Sequence, residues 1–151
     1  MSEGSRRSDG SEQLVTLTAT AAPPLTGVHV VVVDDDADFR DVVSLMFESA
    51  GARVTGLGDG PQAVEALQTI VPDVLVMDIN LPGQNGLSVM SMIRHHRNQA
   101  ARGVPAIALS GAIEDLGVAR LVQAGFTEWM SKRGSLDGLV QAVTRLATRP
   151  A

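Results

Sequence analysis

Val28-His29-Val30-Val31-Val32-Val33-Asp34-Asp35-Asp36 is the stretch whose reading decides the fold of this chain. Its apolar part is short, rich in β-branched residues and nearly unbroken, the pattern of a strand covered on both faces. It then gives way at once to three carboxylates. An acidic run in isolation is most often a solvated loop or the start of a helix. Placed directly beyond a buried strand, it becomes a candidate site.

Working outward, four further apolar runs follow, at Ala52 to Leu57, Val74 to Met77, Val104 to Leu109 and Phe126 to Met130. Each run from Val28 onward is followed by a segment of helical pattern. That alternation is the signature of βα units around a parallel sheet. The first, third and fourth runs are nearly continuous and read as central strands. The second and fifth, interrupted by Arg53, Thr55, Thr127 and Glu128, read as strands near an edge. In the first helical segment Phe39, Val42, Val43, Met46, Phe47 and Ala50 share a stripe, with Asp36 as N-cap and Gly51 as stop. Pro61 suits the first turn of a second helix, on which Ala63, Ala66, Leu67 and Ile70 share a face and which ends at Pro72. A third is expected from Leu87 to about His96. A fourth, from Ile113 to Ala124, has a weak stripe and carries Gly117, at a cost of roughly 1 kcal/mol against alanine in a helix interior. The last opens at Ser135 and buries Leu136, Leu139, Val140, Val143 and Ala147.

The composition, 44% hydrophobic and 19% charged, is that of an ordinary globular chain, and 151 residues suit one domain. Residues 1–26, rich in Ser, Thr, Ala, Gly and Pro, read as a flexible tail, 27–148 as the domain and 149–151 as a short end. A net charge of −5 argues against a basic nucleic-acid footprint. Lack of cysteine excludes disulfides and thiolate metal sites and leans towards a reducing, cytoplasmic setting. No stretch approaches a membrane span. Arg6 and Arg7 ahead of Leu14 to Ala22 only faintly match a twin-arginine export signal, because Asp9, Glu12, Thr16, Thr18 and Thr20 dilute the apolar region.

In open parallel sheets ligands bind beyond the carboxyl ends of the strands, where the strand order reverses. The first run ends in Asp34, Asp35 and Asp36, the third in Asp78, the fourth in Ser110 and the fifth in Lys132. With strand order 2-1-3-4-5, Asp35 and Asp78 meet across the switch point, flanked by Ser110 and Lys132. Carboxylates gathered within about 4 Å repel by roughly 4 kcal/mol per pair at an effective dielectric of about 20, so such a cluster calls for a cation. With only oxygen ligands on offer, magnesium fits and zinc does not. His95 and His96, adjacent on a helix, cannot face one site; with Arg94 and Arg97 they read as a solvated face. His29 reads as structural, and Gly56-Leu57-Gly58-Asp59-Gly60 as a turn lacking the dinucleotide glycine spacing.

These residues resemble the receiver domains of response regulators over about Val28 to Leu146. The matching stretches are Val30 to Asp36, Asp73-Val74-Leu75-Val76-Met77-Asp78-Ile79-Asn80-Leu81-Pro82-Gly83-Gln84-Asn85-Gly86, Leu109-Ser110-Gly111 and Trp129-Met130-Ser131-Lys132. The resemblance implies a doubly wound, flavodoxin-like five-stranded sheet with helices on both faces. It implies that Asp78 accepts a phosphoryl group and that Mg2+ is held by Asp34 (through water), Asp35, Asp78 and the main-chain carbonyl of Asn80. Ser110 would bond the phosphoryl group, Lys132 would pair with it, and Trp129, three positions before the lysine, would switch with Ser110. The implied donor is a sensor histidine kinase or phosphotransfer protein. The implied output is a protein partner at the fourth helix and fifth strand; charge and the lack of an apolar span, as above, argue against direct nucleic acid or membrane contact, and pairing with a second copy is left open. Catalysis would be limited to the chain's own phosphorylation and dephosphorylation, with Asn80 and Ala112 setting the approach of water.

One residue departs from the pattern: Arg133 stands where the family usually has a proline in a cis bond, which in a non-proline residue costs about 2.5 to 4 kcal/mol, so a trans bond is expected. Only Thr148 to Ala151 follow the last helix, the reading being a stand-alone receiver or a piece of a longer regulator. Two rivals remain. One is a receiver-like module that docks without phosphorylation, which Arg133 favours. The other is a magnesium-dependent phosphatase, which Asp34-Asp35-Asp36-Ala37-Asp38 disfavours at its last position.

Overall fold

The computed structural model describes residues 22–148 apart from residue 97 and residues 112–116. Five strands form one all-parallel sheet: β1 (His29–Val33), β2 (Arg53–Leu57), β3 (Val74–Asp78), β4 (Ala106–Ser110) and β5 (Glu128–Ser131), in the order β2-β1-β3-β4-β5. The expected order holds. Every residue of β1, β3 and β4 is buried, whereas β2 and β5 are partly exposed, as befits edges.

Alternation within the strands sorts side chains onto two layers. Val31, Val33, Leu75, Met77, Ala106 and Ala108 face a cluster with Ala63, Val89, Met90, Ile93 and Leu121. Those partners come from α2 (Gly60–Ala66), α3 (Gly86–Arg94) and α5 (Val118–Ala124), with the single turn α4 (Gln99–Arg102) beside them. Val30, Val32, Val74, Val76, Ile107 and Leu109 face the other way, onto Val43 and Phe47 of α1 (Ala37–Ser49) and Leu139, Ala142, Val143 and Leu146 of α6 (Leu136–Ala147). Side-chain caps open the helices where the sequence placed them: Asp36 accepts from the Asp38 and Phe39 N–H groups, and Ser135 from Asp137 N–H.

Several expectations need correction. Leu25 is fully buried in the α1/α6 layer and its N–H bonds Ala50 O at 2.8 Å, so packing reaches back into the segment read as tail. Residues 1–21 and 149–151 lie outside the described residues. The second helix stops at Ala66, well short of Pro72, because the Gln68 and Thr69 N–H groups turn to carbonyls three residues back. Of the fourth expected helix, residues 113–116 are outside the described set, and Gly117 is at the N-cap with φ +88°; it opens α5 rather than weakening its interior. The turn α4, capped by Asn98, has too few residues to show a period.

Arg94 and His96 are not a solvated face. The Arg94 guanidinium, whose charged form is disfavoured by burial, donates to Gly125 O (2.7 and 3.0 Å) and Arg102 O (2.8 Å), joining α3 to the turn before β5. His96 is buried, with Nε2 on Val64 O and Nδ1 accepting from Asn98 N–H. His95 is exposed, and Arg97 is outside the described residues.

Candidate functional site at the β1/β3 switch point

The chain leaves β1 to pair β2 on one side and β3 on the other, so the loops after β1 and β3 diverge and leave a crevice between them. The three consecutive aspartates divide the work there. Asp34 extends the ladder, its N–H bonding Leu57 O at 3.0 Å, and its side chain is wholly buried. Its Oδ1 accepts from Asp36 N–H at 2.9 Å, and its carbonyl accepts from Arg40 Nη1 at 2.6 Å. Asp35, one residue on, is exposed and faces the crevice from the open side. Asp36 is spent on capping α1. The three lie beyond the end of β1, where the backbone turns into α1, so Asp34 and Asp35 supply carboxylates to the crevice while Asp36 is taken up by the helix start.

Asp78, last residue of β3, is 4% exposed. Carboxylate oxygens of Asp34, Asp35 and Asp78 lie within 4.8 Å of one another. Asn80 is exposed two residues on and directs its N–H to Asp78 Oδ1 at 2.9 Å. Ser110 ends β4, one step past the Asp78–Leu109 pairing, and is 2% exposed. Its carbonyl accepts from Lys132 N–H at 2.9 Å, which fixes the start of the lysine just beyond β5. From there Lys132 Nζ reaches Asp34 Oδ2 at 2.8 Å and Asp78 Oδ2 at 3.2 Å. Trp129 pairs with Ala108 and is half-buried against the α2–α5 layer.

The electrostatics follow from burial and neighbours. Burial pushes the Asp78 carboxyl above its ordinary range, and the Asp34 charge adds to this; the Asn80 N–H and Lys132 pull against it. For Lys132 burial works downward, but the bond to Asp34 and the charges of Asp78 and Asp34 outweigh it, so the ammonium is held more firmly than usual. The peptide bond from Lys132 to Arg133 is trans, no cis bond occurring among the described residues, and Arg133 N–H bonds Ser131 Oγ at 3.1 Å. Proline has no N–H to make that bond.

Two buried carboxylates and one exposed carboxylate form an all-oxygen cluster, charged on the inside and open to water on the outside. This suits a hard divalent ion that keeps part of its hydration shell, so the donor set fits magnesium. Two residues escaped sequence reasoning. Phe39 counted only as part of the α1 stripe, yet its ring centroid lies 4.4 Å from Lys132 Nζ. Arg40, unremarked, ties α1 to the Asp34 carbonyl. Their place in the first turn after an acidic strand end was the available signal.

Comparison with known proteins agrees with this geometry. A family profile described as the response regulator receiver domain matches residues 30–144. The chain is 30% identical over 104 residues to the DNA-binding response regulator MtrA of Mycobacterium tuberculosis (strain ATCC 25618 / H37Rv), covering 69% of this chain and 43% of that protein. It is 29% identical over 109 residues to the Regulator of RpoS of Escherichia coli (strain K12), covering 72% and 31%. It thus spans less than half the length of these relatives. Among solved structures, the receiver domain of the sensor histidine kinase PA1611 of Pseudomonas aeruginosa PAO1, with a magnesium ion in its active-site cleft, superposes with TM-score 0.74 at 30% identity, over 82% of this chain and all 100% of that one. The receiver domain of the Francisella response regulator 1452 gives TM-score 0.74 at 27% identity, over 82% and 98%.

Proposed function

We propose, from the premise that this chain belongs to the response-regulator receiver family of two-component systems, that it accepts a phosphoryl group on Asp78 and thereby changes which partner it binds. The observation that carries this reading is the convergence of Asp34, Asp35 and Asp78 within 4.8 Å, bridged by Lys132. In the transfer, a carboxylate oxygen of Asp78 forms a bond to phosphorus. The donor's N–P bond breaks at the same time, and the imidazole of a histidine kinase or phosphotransfer protein departs with the electron pair. Lys132 sets its ammonium beside the phosphoryl oxygens, Asn80 N–H holds the attacking carboxylate in line, and the Ser110 hydroxyl bonds the transferred group. Asp34, Asp35, Asp78 and the Asn80 carbonyl would hold Mg2+, whose contribution when bound is to neutralise phosphoryl charge.

Beyond its own phosphorylation and hydrolysis the chain would catalyse nothing, and its setting would be the cytoplasm. Among the described residues no helix is long and apolar enough to cross a membrane. The added charge on Asp78 would draw in Ser110 and reposition Trp129, altering the α5/β5 face for a downstream partner. The docking-only alternative drew its support from Arg133; against it, Lys132 reaches both carboxylates with a trans bond following it. Mass spectrometry after incubation with Mg2+ and acetyl phosphate tests the choice. One acid-labile phosphoryl group, absent in Asp78→Asn, is expected; no uptake by the unaltered chain would replace this reading with docking alone.

A further inference from the structure

We infer that Phe39 is a positioning residue for Lys132, its ring face setting where the ammonium stands at the mouth of the acidic crevice. The inference rests on the role given to Lys132 above. A lysine has a flexible four-carbon stem, and the stem of Lys132 starts where its N–H bonds Ser110 O and the next N–H bonds Ser131 Oγ, contacts that fix the backbone but not the ammonium. The residue that follows adds no ring constraint: Arg133 is joined by a trans bond and Gly134 N–H closes the turn on Ser131 O at 3.1 Å. Something beyond the stem must therefore hold the ammonium.

Two of its donors meet Asp34 and Asp78 at 2.8 and 3.2 Å, and below it the Phe39 centroid is 4.4 Å away. That separation is well inside the range of a cation–π contact. The ring is itself held, because Phe39 sits in the first turn of α1, three residues past the Asp36 cap, and packs on the α1/α6 core layer. The contact also differs in kind from the two ion pairs. Carboxylates draw the N–H groups towards themselves, whereas a ring face attracts the charge without claiming a particular N–H. The ammonium can therefore turn its donors from Asp34 and Asp78 to an arriving phosphoryl group while staying at the same height over Phe39.

The test is a double-mutant cycle on the rate of phosphorylation by acetyl phosphate with Mg2+, read by mass spectrometry. Phe39→Leu, which keeps an apolar side chain but removes the ring, should slow the reaction about two- to five-fold, the scale of a partly exposed cation–π contact. Phe39→Tyr, which keeps the ring, should restore the rate, and in a Lys132→Ala background Phe39→Leu should add nothing. Equal slowing in both backgrounds, or failure of Phe39→Tyr to restore the rate, overturns the role while leaving the phosphoacceptor reading intact. A chain that takes up no phosphoryl group overturns both. A second measurement needs no phosphorylation: in the metal-free protein the Lys132 ε-methylene proton resonances should be shifted upfield by the ring and return towards free-lysine values in Phe39→Leu. Unshifted resonances in the unaltered protein overturn the contact itself.

Discussion

Replacing Asp78 by asparagine tests the electrostatics of the crevice more directly than any loss of function. Asp78 and Asp34, both buried, have carboxylate oxygens no more than 4.8 Å apart and so repel by at least about 3.5 kcal/mol with an effective dielectric of about 20, and attraction to Lys132 at 3.2 Å returns about 5 kcal/mol. Asp35 is exposed and screened, so its repulsion falls to about 1 kcal/mol. These charges nearly offset one another, and burial decides the sign: the ionised form of Asp78 is disfavoured, as its raised pKa records. Asparagine has the same shape, can still accept from Asn80 N–H, and leaves Lys132 its Asp34 partner at 2.8 Å. Asp78→Asn should therefore stabilise the metal-free protein and raise its Tm, each 1 kcal/mol corresponding to about 3–4 °C for a domain of this size. A group whose folded pKa is raised destabilises the fold only where it must ionise. The gap should be absent below the ordinary value of 3.8 and open as pH rises through the folded value. Added Mg2+ should stabilise the unaltered chain more than Asp78→Asn, narrowing the gap. Thermal unfolding by circular dichroism in EDTA and in Mg2+, across pH, gives all three readings. An Asp78→Asn protein less stable than its parent in EDTA at neutral pH would refute the argument.

Other residues make independent tests. Gly86→Ala is favourable by helix propensity alone, but its Cβ would stand 2.6 Å from Ile79 Cα and 2.9 Å from the Asp78 carbonyl; a net loss of about 1–3 kcal/mol in urea unfolding is expected, and a gain would show that the backbone behind Asp78 yields. Leu25→Ala should cost about 2–5 kcal/mol by the same measurement; a loss under 0.5 kcal/mol, the scale of a surface change, would remove Leu25 from the core. His29 is lowered from its ordinary 6.5 by burial and then by Arg53, against the pull of Asp73. Its stabilising contribution is complete above 6.5 and is lost as pH falls through the folded value, so the stability difference between the parent and His29→Gln should shift against the parent from pH 7.5 to pH 5; parallel curves count against this. Trp129 fluorescence should change on adding Mg2+ and a phosphodonor, and a constant spectrum with phosphorylation confirmed by mass removes Trp129 from the switch.

How much of this was legible in advance depended on the range of the interaction. Strand identity, central or edge placement and the caps at Asp36 and Ser135 are matters of period and local hydrogen bonding, written in consecutive residues. The convergence of Asp34, Asp35, Asp78, Ser110 and Lys132 was also within reach, because a parallel sheet delivers every strand end to one edge once the order is known. The burial of Leu25 and the bonds of Arg94 and His96 were not, since each depends on groups distant in sequence, while the helix ends at Ala66 and Gly117 turn on local backbone geometry that apolar period does not encode.

The sequence by itself determined a five-stranded parallel sheet and an acidic edge, because pattern and composition act through neighbours along the chain. Only the tertiary structure decided which aspartate is buried, which exposed and which caps a helix, and that Lys132 stands over Phe39 between two carboxylates. Charge and burial act through space, and the distances that set their strength exist only after the strands have met.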